Sequence, residues 1–353
     1  MSRVNAGTSQ SALLPWLQAA WQQWQGLSNR LGHAYLLSGP KGLGIEQFVS
    51  KAIAAALCLQ PIEATACGQC KGCHLLTGQQ HPDFYHLARL EDKKEITIDQ
   101  VRQLLVKLTE TAHQGGYKVI WVEGVEHLNQ SAFNALLKTL EEPADKTLFL
   151  LTTHALGRLP ATIKSRCQLM SFTPPMLPEA IEWLHQQQPQ TDITLIKRAL
   201  RLSWGAPIDA LAWIESAQFE EDAAWKEGLK QLQSGRKTVS KVVAEWIKWP
   251  APLNVFDYFY QWTVSGARSV TYSSNRSEGA EQAEWHLDEA QRLQLQNWLR
   301  FQQAVLQAKQ DWLGNANKEL VLETLCLEWL EVQQLAVPFH SVFQSNLQKG
   351  TLP

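Results

Sequence analysis

Long apolar runs, a basic leader and an excess of charge are all missing from this 353-residue chain. No stretch of about 18 or more apolar residues occurs and no basic segment followed by an apolar core opens the chain, so neither membrane insertion nor secretion is expected. The cytoplasm is the default. A formal net charge of -2 supplies no field over the whole protein for gathering nucleic acid, which leaves only a local basic surface for such a role. No internal repeat is found. What the chain has is an ordinary soluble composition, 45% hydrophobic and 19% charged, enough for two or three domains. Its 15 tryptophans fall mostly in helical patterns and read as core packing.

A second absence is local. Gly39-Pro40-Lys41-Gly42-Leu43-Gly44-Ile45-Glu46 follows the apolar run Ala34 to Ser38 and precedes an amphipathic segment, the strand, glycine turn and helix of a phosphate-binding loop. The glycines Gly39 and Gly44 are in place. Ile45 stands where a lysine should reach the β and γ phosphates, and Glu46 where Ser or Thr should ligate magnesium. A carboxylate there repels nucleotide. The strand Lys118 to Val122 should likewise end in Asp-Glu, and it ends in Glu123-Gly124; glycine cannot act as a base, and Glu123 is either a metal contact or a solvated strand end.

The six cysteines are unevenly spread. Cys58, Cys67, Cys70 and Cys73 crowd into a short glycine-containing loop, whereas Cys167 and Cys326 stand alone. Cys-x-x-Cys spacing lets a tight turn present two sulfurs to one metal, so the four are expected to hold a tetrahedral, structural Zn²⁺. A disulfide is the competing reading, and a reducing compartment disfavours it. His74 and His81 are substitute ligands that the set does not need.

From Ala34 to Phe172 apolar strands alternate with amphipathic helices, which indicates an α/β domain with a parallel sheet covered on both faces. The expected strands are Ala34 to Ser38, Asp83 to Leu87, Lys118 to Val122, Thr147 to Thr152 and Gln168 to Phe172. Val101, Leu104, Leu105 and Leu108 recur at helical spacing after Asp99, read as an N-cap; a second helix ends before Pro143, and a third spans Leu156 to Lys164. After Pro174-Pro175 the strand signals stop. Three short helices follow at 178–187, 192–204 and 207–217, then further helices, with a polar loop expected at 266–283. The tail after Val337 gives no signal.

Ser165-Arg166-Cys167 opens the fifth strand. An arginine here either forms a surface ion pair or stabilises phosphoryl charge in a neighbouring subunit, and spacing alone favours the ion pair. Together with the cysteine run and Asn134-Ala135-Leu136-Leu137-Lys138-Thr139-Leu140-Glu141-Glu142-Pro143, however, it resembles the bacterial clamp-loader branch of the AAA+ ATPases. The likeness is clearest over 14–175, extends to about 217, and beyond rests on length and helical character. Within that branch the tau/gamma subunits keep the loop lysine and the Asp-Glu pair; this chain resembles the stator members that have lost them.

The resemblance implies an AAA+ domain over 1–175 with an inserted zinc module at about 58–81, a three-helix lid over 176–218, a helical collar domain over 219–337 and a tail over 338–353. It implies no ATP bound or hydrolysed by this chain, with Arg166, between Ser165 and Cys167, acting in trans as an arginine finger at the ATP site of an adjacent tau/gamma subunit. It also assigns zinc to Cys58, Cys67, Cys70 and Cys73. The lid segment Gly205 to Leu211 carries Ile208 where active relatives place a nucleotide-sensing arginine. The implied partners are tau/gamma and delta subunits in a heteropentamer, the sliding clamp, and primed DNA through the complex, as part of a DNA polymerase III holoenzyme. The alternatives are an active ATPase that uses Lys41, which lies on the wrong side of the loop, and a zinc-dependent nucleic-acid binder built on Lys71 and His74, for which basic residues are few. The dozen residues before Leu14-Pro15-Trp16 and the 266–283 stretch depart from the family pattern.

Overall fold

Five apolar runs become the strands of one parallel sheet. The computed structural model describes residues 12–27, 30–90, 93–216, 218–274 and 288–335. The strands are β1 (Ala34–Ser38), β2 (Phe84–Leu87), β3 (Lys118–Val122), β4 (Thr147–Thr153) and β5 (Gln168–Ser171), in the order β2-β3-β4-β1-β5. Around them lie α1 (Gln18–Leu27), α2 (Ile45–Leu57), α3 (Lys71–Thr77), α4 (Ile98–Leu108), α5 (Gln130–Glu141) and α6 (Ala161–Lys164). Alternate side chains of each strand serve opposite cores. Tyr35, Leu37, Trp121 and Leu150 pack with Trp24 of α1 and Phe48 of α2. Leu36, Ile120, Phe149 and Leu151 pack with Val101 of α4, Leu136 of α5 and Ile163 of α6. Two-sided cover buries every residue of β1, β3 and β4. At the edge, β5 buries only Met170.

Several local expectations shift. Asp83 is not a strand residue: its buried carboxylate accepts bonds from the backbone N–H groups of His113 (2.7 Å) and Gln114 (2.9 Å) and anchors that loop. Helix α4 is capped by Thr97, whose capping box with Gln100 leaves Asp99 inside the first turn. The stretch from Leu156 to Lys164 is not one helix. A 3₁₀ turn, Leu156–Arg158, gives way at Leu159 and Pro160 before α6, because Pro160 cannot donate the backbone bond that would continue it.

Three further helices, α7 (Leu177–Gln187), α8 (Ile193–Leu202) and α9 (Pro207–Glu215), belong to the same compact unit as the sheet, Met1–Glu215. The second unit, Ser216–Pro353, is all helix in its described residues: α10 (Gln218–Gln233), α11 (Val239–Trp246), α12 (Asn254–Ser274), α13 (Glu289–Leu313) and α14 (Lys318–Leu335). Its core is aromatic. Trp262 sits edge-on to Trp298 at 4.4 Å, and Phe259 to Phe301 at 5.7 Å. The polar loop expected from residue 266 is corrected here, since α12 runs on to Ser274. Gly266 is a contact glycine, because a Cβ there would lie 2.4 Å from the Trp298 ring. Residues 275–283 and the tail after Val337 lie outside the described residues.

Candidate functional site

The four cysteines converge. Their Sγ atoms all lie within 4.8 Å of one another, and the shorter edges, Cys58–Cys67 at 3.5 Å, Cys58–Cys70 at 3.8 Å, Cys67–Cys73 at 4.0 Å and Cys70–Cys73 at 3.5 Å, match the roughly 3.8 Å edge of a tetrahedron with metal–sulfur bonds of about 2.3 Å. A disulfide needs about 2.05 Å. Cys58 follows α2, Cys67 lies in the connecting loop, and Cys70 caps α3 by accepting the N–H of Cys73. Backbone donors also point at sulfur elsewhere: Leu59 N–H at Cys70 (3.4 Å), Cys67 N–H at Cys58 (3.3 Å) and Cys70 N–H at Cys67 (3.3 Å). Burial raises the Cys70 thiol, yet the N–H groups of Cys73 and Leu59 outweigh it and bring Cys70 down to about 6. Burial and the Cys70 sulfur push Cys73 up to about 12. These donors stabilise thiolate, the form that binds metal. Neither His74 nor His81 joins the group; His74 is exposed on α3, and His81 Nδ1 accepts the N–H of Asp83 at 3.2 Å.

The glycine loop has the shape of a phosphate cradle and other contents. Gly42 and Gly44 take φ values of 73° and 75°, which favour glycine. A Cβ at Gly42 would fall 2.4 Å from the Asp209 carboxyl carbon, and one at Gly44 would meet Leu14 Cδ1 at 2.4 Å and Ile208 Cδ1 at 3.1 Å. Thus α9 and the N-terminal segment lie directly on the loop. Ile208 N–H donates to the Gly42 carbonyl at 3.1 Å, and Trp16 Nε1–H to the Leu43 carbonyl at 2.8 Å. Ile45 is buried in the core beneath. Glu46 turns to His154, whose Nε2 lies 3.6 Å from its Oε1 and whose Nδ1–H donates to the Gly39 carbonyl at 2.8 Å. His154 holds the Glu46 carboxyl below its usual range and is itself raised by Glu46. Burial raises the Asp209 carboxyl, which Lys41 partly offsets.

At the end of β3, Glu123 binds His86 Nε2 at 2.9 Å, and the His86 ring stacks on Trp121 at 4.4 Å. Gly124 has φ 66°, and a Cβ on it would meet His127 Cδ2 at 2.7 Å. Arg166 follows α6. Its Nη1 donates to the Thr162 carbonyl at 2.8 Å and to Ser165 Oγ at 3.4 Å, and its Nη2 pairs with Glu141 at the end of α5. The buried Cys167 packs under the sheet, where burial raises its thiol to about 11. The sequence assigns no role to Leu14, Trp16, Asp209 or Glu141, although Glu141 lies in the Asn134 to Pro143 motif and Asp209 beside Ile208 in the lid segment.

Likeness to known proteins places these features. The family described as DNA polymerase III, delta subunit matches residues 17–176. DNA polymerase III subunit delta' of Pseudomonas aeruginosa is 36% identical over 90% of this chain and 97% of its own length. The chain belongs to the delta' family of DNA polymerase III subunits. The delta' subunit of Escherichia coli is 38% identical over 58% of this chain and 62% of its own. The tau/gamma subunit of Haemophilus influenzae is 37% identical over 39% of this chain and 20% of its own length. The family match thus spans the sheet, the cysteine cluster, the glycine loop and Arg166, but not Leu14, Ile208 and Asp209, which cover that loop, while the Pseudomonas delta' alignment reaches into the helical second unit. No helix among the described residues is long and apolar enough to cross a membrane.

Proposed function

We propose that this chain is a non-hydrolysing stator subunit of a DNA polymerase III clamp loader, helping to place the sliding clamp on primed DNA. The observation that carries the reading is the filled loop: Asp209 lies against Gly42, and Leu14 and Ile208 against Gly44, where nucleotide phosphates would need the backbone. Glu46 and Asp209 bring two carboxyl groups to ground that should attract anions. The membership in the delta' family and the likeness to a tau/gamma subunit support a place beside tau/gamma and delta subunits, with the second helical unit as the collar piece.

In this reading the chain contributes a guanidinium rather than a pocket. Arg166 sits at the turn between α6 and β5 and reaches, with its planar fork of donors, as an arginine finger into the ATP site of a tau/gamma neighbour, where charge gathers on the transferring phosphoryl group. Ser165 and Cys167 shape that turn. Cys58, Cys67, Cys70 and Cys73 hold Zn²⁺ with every position filled by sulfur, a structural ion with no open coordination site.

Arg166→Ala in the reconstituted clamp loader tests the role. DNA-stimulated ATP hydrolysis should fall on the order of a thousandfold at the affected site, partly masked in the total rate by the other sites. Hydrolysis and clamp loading unchanged by the substitution would reduce Arg166 to an ion pair.

A further inference from the structure

Both terminal nitrogens of the Arg166 guanidinium are already occupied inside this chain. Nη1 donates to the Thr162 carbonyl (2.8 Å) and Ser165 Oγ (3.4 Å), and Nη2 pairs with the Glu141 carboxylate. The first two contacts fold the side chain back over its own turn. The third reaches across to a different element, the last residue of α5. A guanidinium has five N–H donors in a fixed fork, and an end-on, two-pronged grip on phosphate oxygens uses one proton from each terminal nitrogen. That grip is not available while Glu141 and the Ser165–Thr162 turn hold the fork.

We propose that Glu141 is a restraining partner of Arg166, a positioning residue that keeps the guanidinium folded against the α5–α6 surface and exchanges it for nucleotide phosphate when a neighbouring ATP site is presented. The inference rests on the reading of Arg166 as a trans-acting finger. The pair's energetics suit an exchange. The Arg166 side chain is 32% exposed and that of Glu141 49%. An ion pair so open to solvent is screened, and its net worth is at most about 1 kcal/mol, a factor of about five. Nucleotide phosphates offer more negative charge and more acceptor oxygens than one carboxylate, so the exchange of partners is favourable. When no nucleotide is present, Glu141 neutralises the arginine and denies it to other anions.

The test is ATP hydrolysis by the assembled clamp loader carrying Glu141→Gln, Arg166→Ala, or both. Glutamine keeps the size and an acceptor oxygen but removes the charge, and the half-exposed site should not affect folding. The expected result is a KM for ATP lowered two- to fivefold with kcat within twofold of the parent, because the fork no longer has to leave a carboxylate. In the Arg166→Ala background the same substitution should do nothing, a dependence that a merely structural glutamate would not show. Unchanged KM in the single variant would overturn the proposal. So would a kcat that falls toward the Arg166→Ala value, since Glu141 would then align the finger rather than restrain it. If Arg166→Ala itself left hydrolysis intact, the finger reading would fail first, and the two failures are told apart in one set of proteins.

Discussion

Gly124 stands just past the end of β3 and offers no side chain that could serve as a base. At φ 66° with His127 packed against it, the position does not accept a glutamate without strain and a clash. Nor would a lysine at Ile45 find phosphate, because Ile45 is a core residue and Leu14 and Asp209 cover the loop above it. At these motif positions Ile45 packs in the core, Glu46 contacts His154 and Glu123 bonds to His86. The cysteines are the counterexample, four residues whose chemistry remains. Their sulfurs stand at tetrahedral spacing, and thiolates so close together repel unless a cation lies among them. Cys70→Ser should therefore remove one ligand while the serine hydroxyl still caps α3, lowering bound zinc below one per chain and the midpoint of thermal unfolding by several degrees. Metal analysis and a melting curve on freshly purified protein, with and without chelator, check this; a parent protein free of zinc, or a melt indifferent to chelator, would contradict it.

Elements were legible in the sequence to the extent that burial shaped their composition. The buried strands β1, β3 and β4 read as continuous apolar runs and were placed to within a residue. Capping was harder. Asp99 and Thr97 are both acceptable caps, and only the reciprocal bonds with Gln100 decide between them. The stretch from Gly266 to Ser274 misled because glycine and serine signal loops when read locally. The glycine answers instead to a residue far along the chain: the Trp298 ring of α13 lies so close to Gly266 that it leaves no room for a side chain there. Gly266→Ala should accordingly destabilise the helical unit by about 1 to 3 kcal/mol, the usual cost of overpacking, despite alanine's better helix propensity. Denaturant unfolding resolves this, and an unchanged or raised midpoint would mean that α12 and α13 are not packed so closely.

For the whole molecule, the sequence disclosed that the nucleotide loop is degraded but not what became of it. Substitution of Ile45 and Glu46 is visible in a linear motif. The arrival of Leu14 from the N-terminal segment and Asp209 from α9 is not, because it depends on how segments distant in sequence fold onto Gly42 and Gly44. The same holds for Arg166: its turn was legible, its pairing with Glu141 was not, since the two lie 25 residues apart in the chain and meet only in the fold. The proposed role requires that the loop, filled by the protein itself, take no nucleotide. Equilibrium binding of a fluorescent ATP analogue with Mg²⁺ to the isolated chain tests it most directly. No saturable binding up to millimolar nucleotide is the predicted result; saturable binding in the micromolar range would contradict it and make the subunit a nucleotide-responsive member of its assembly.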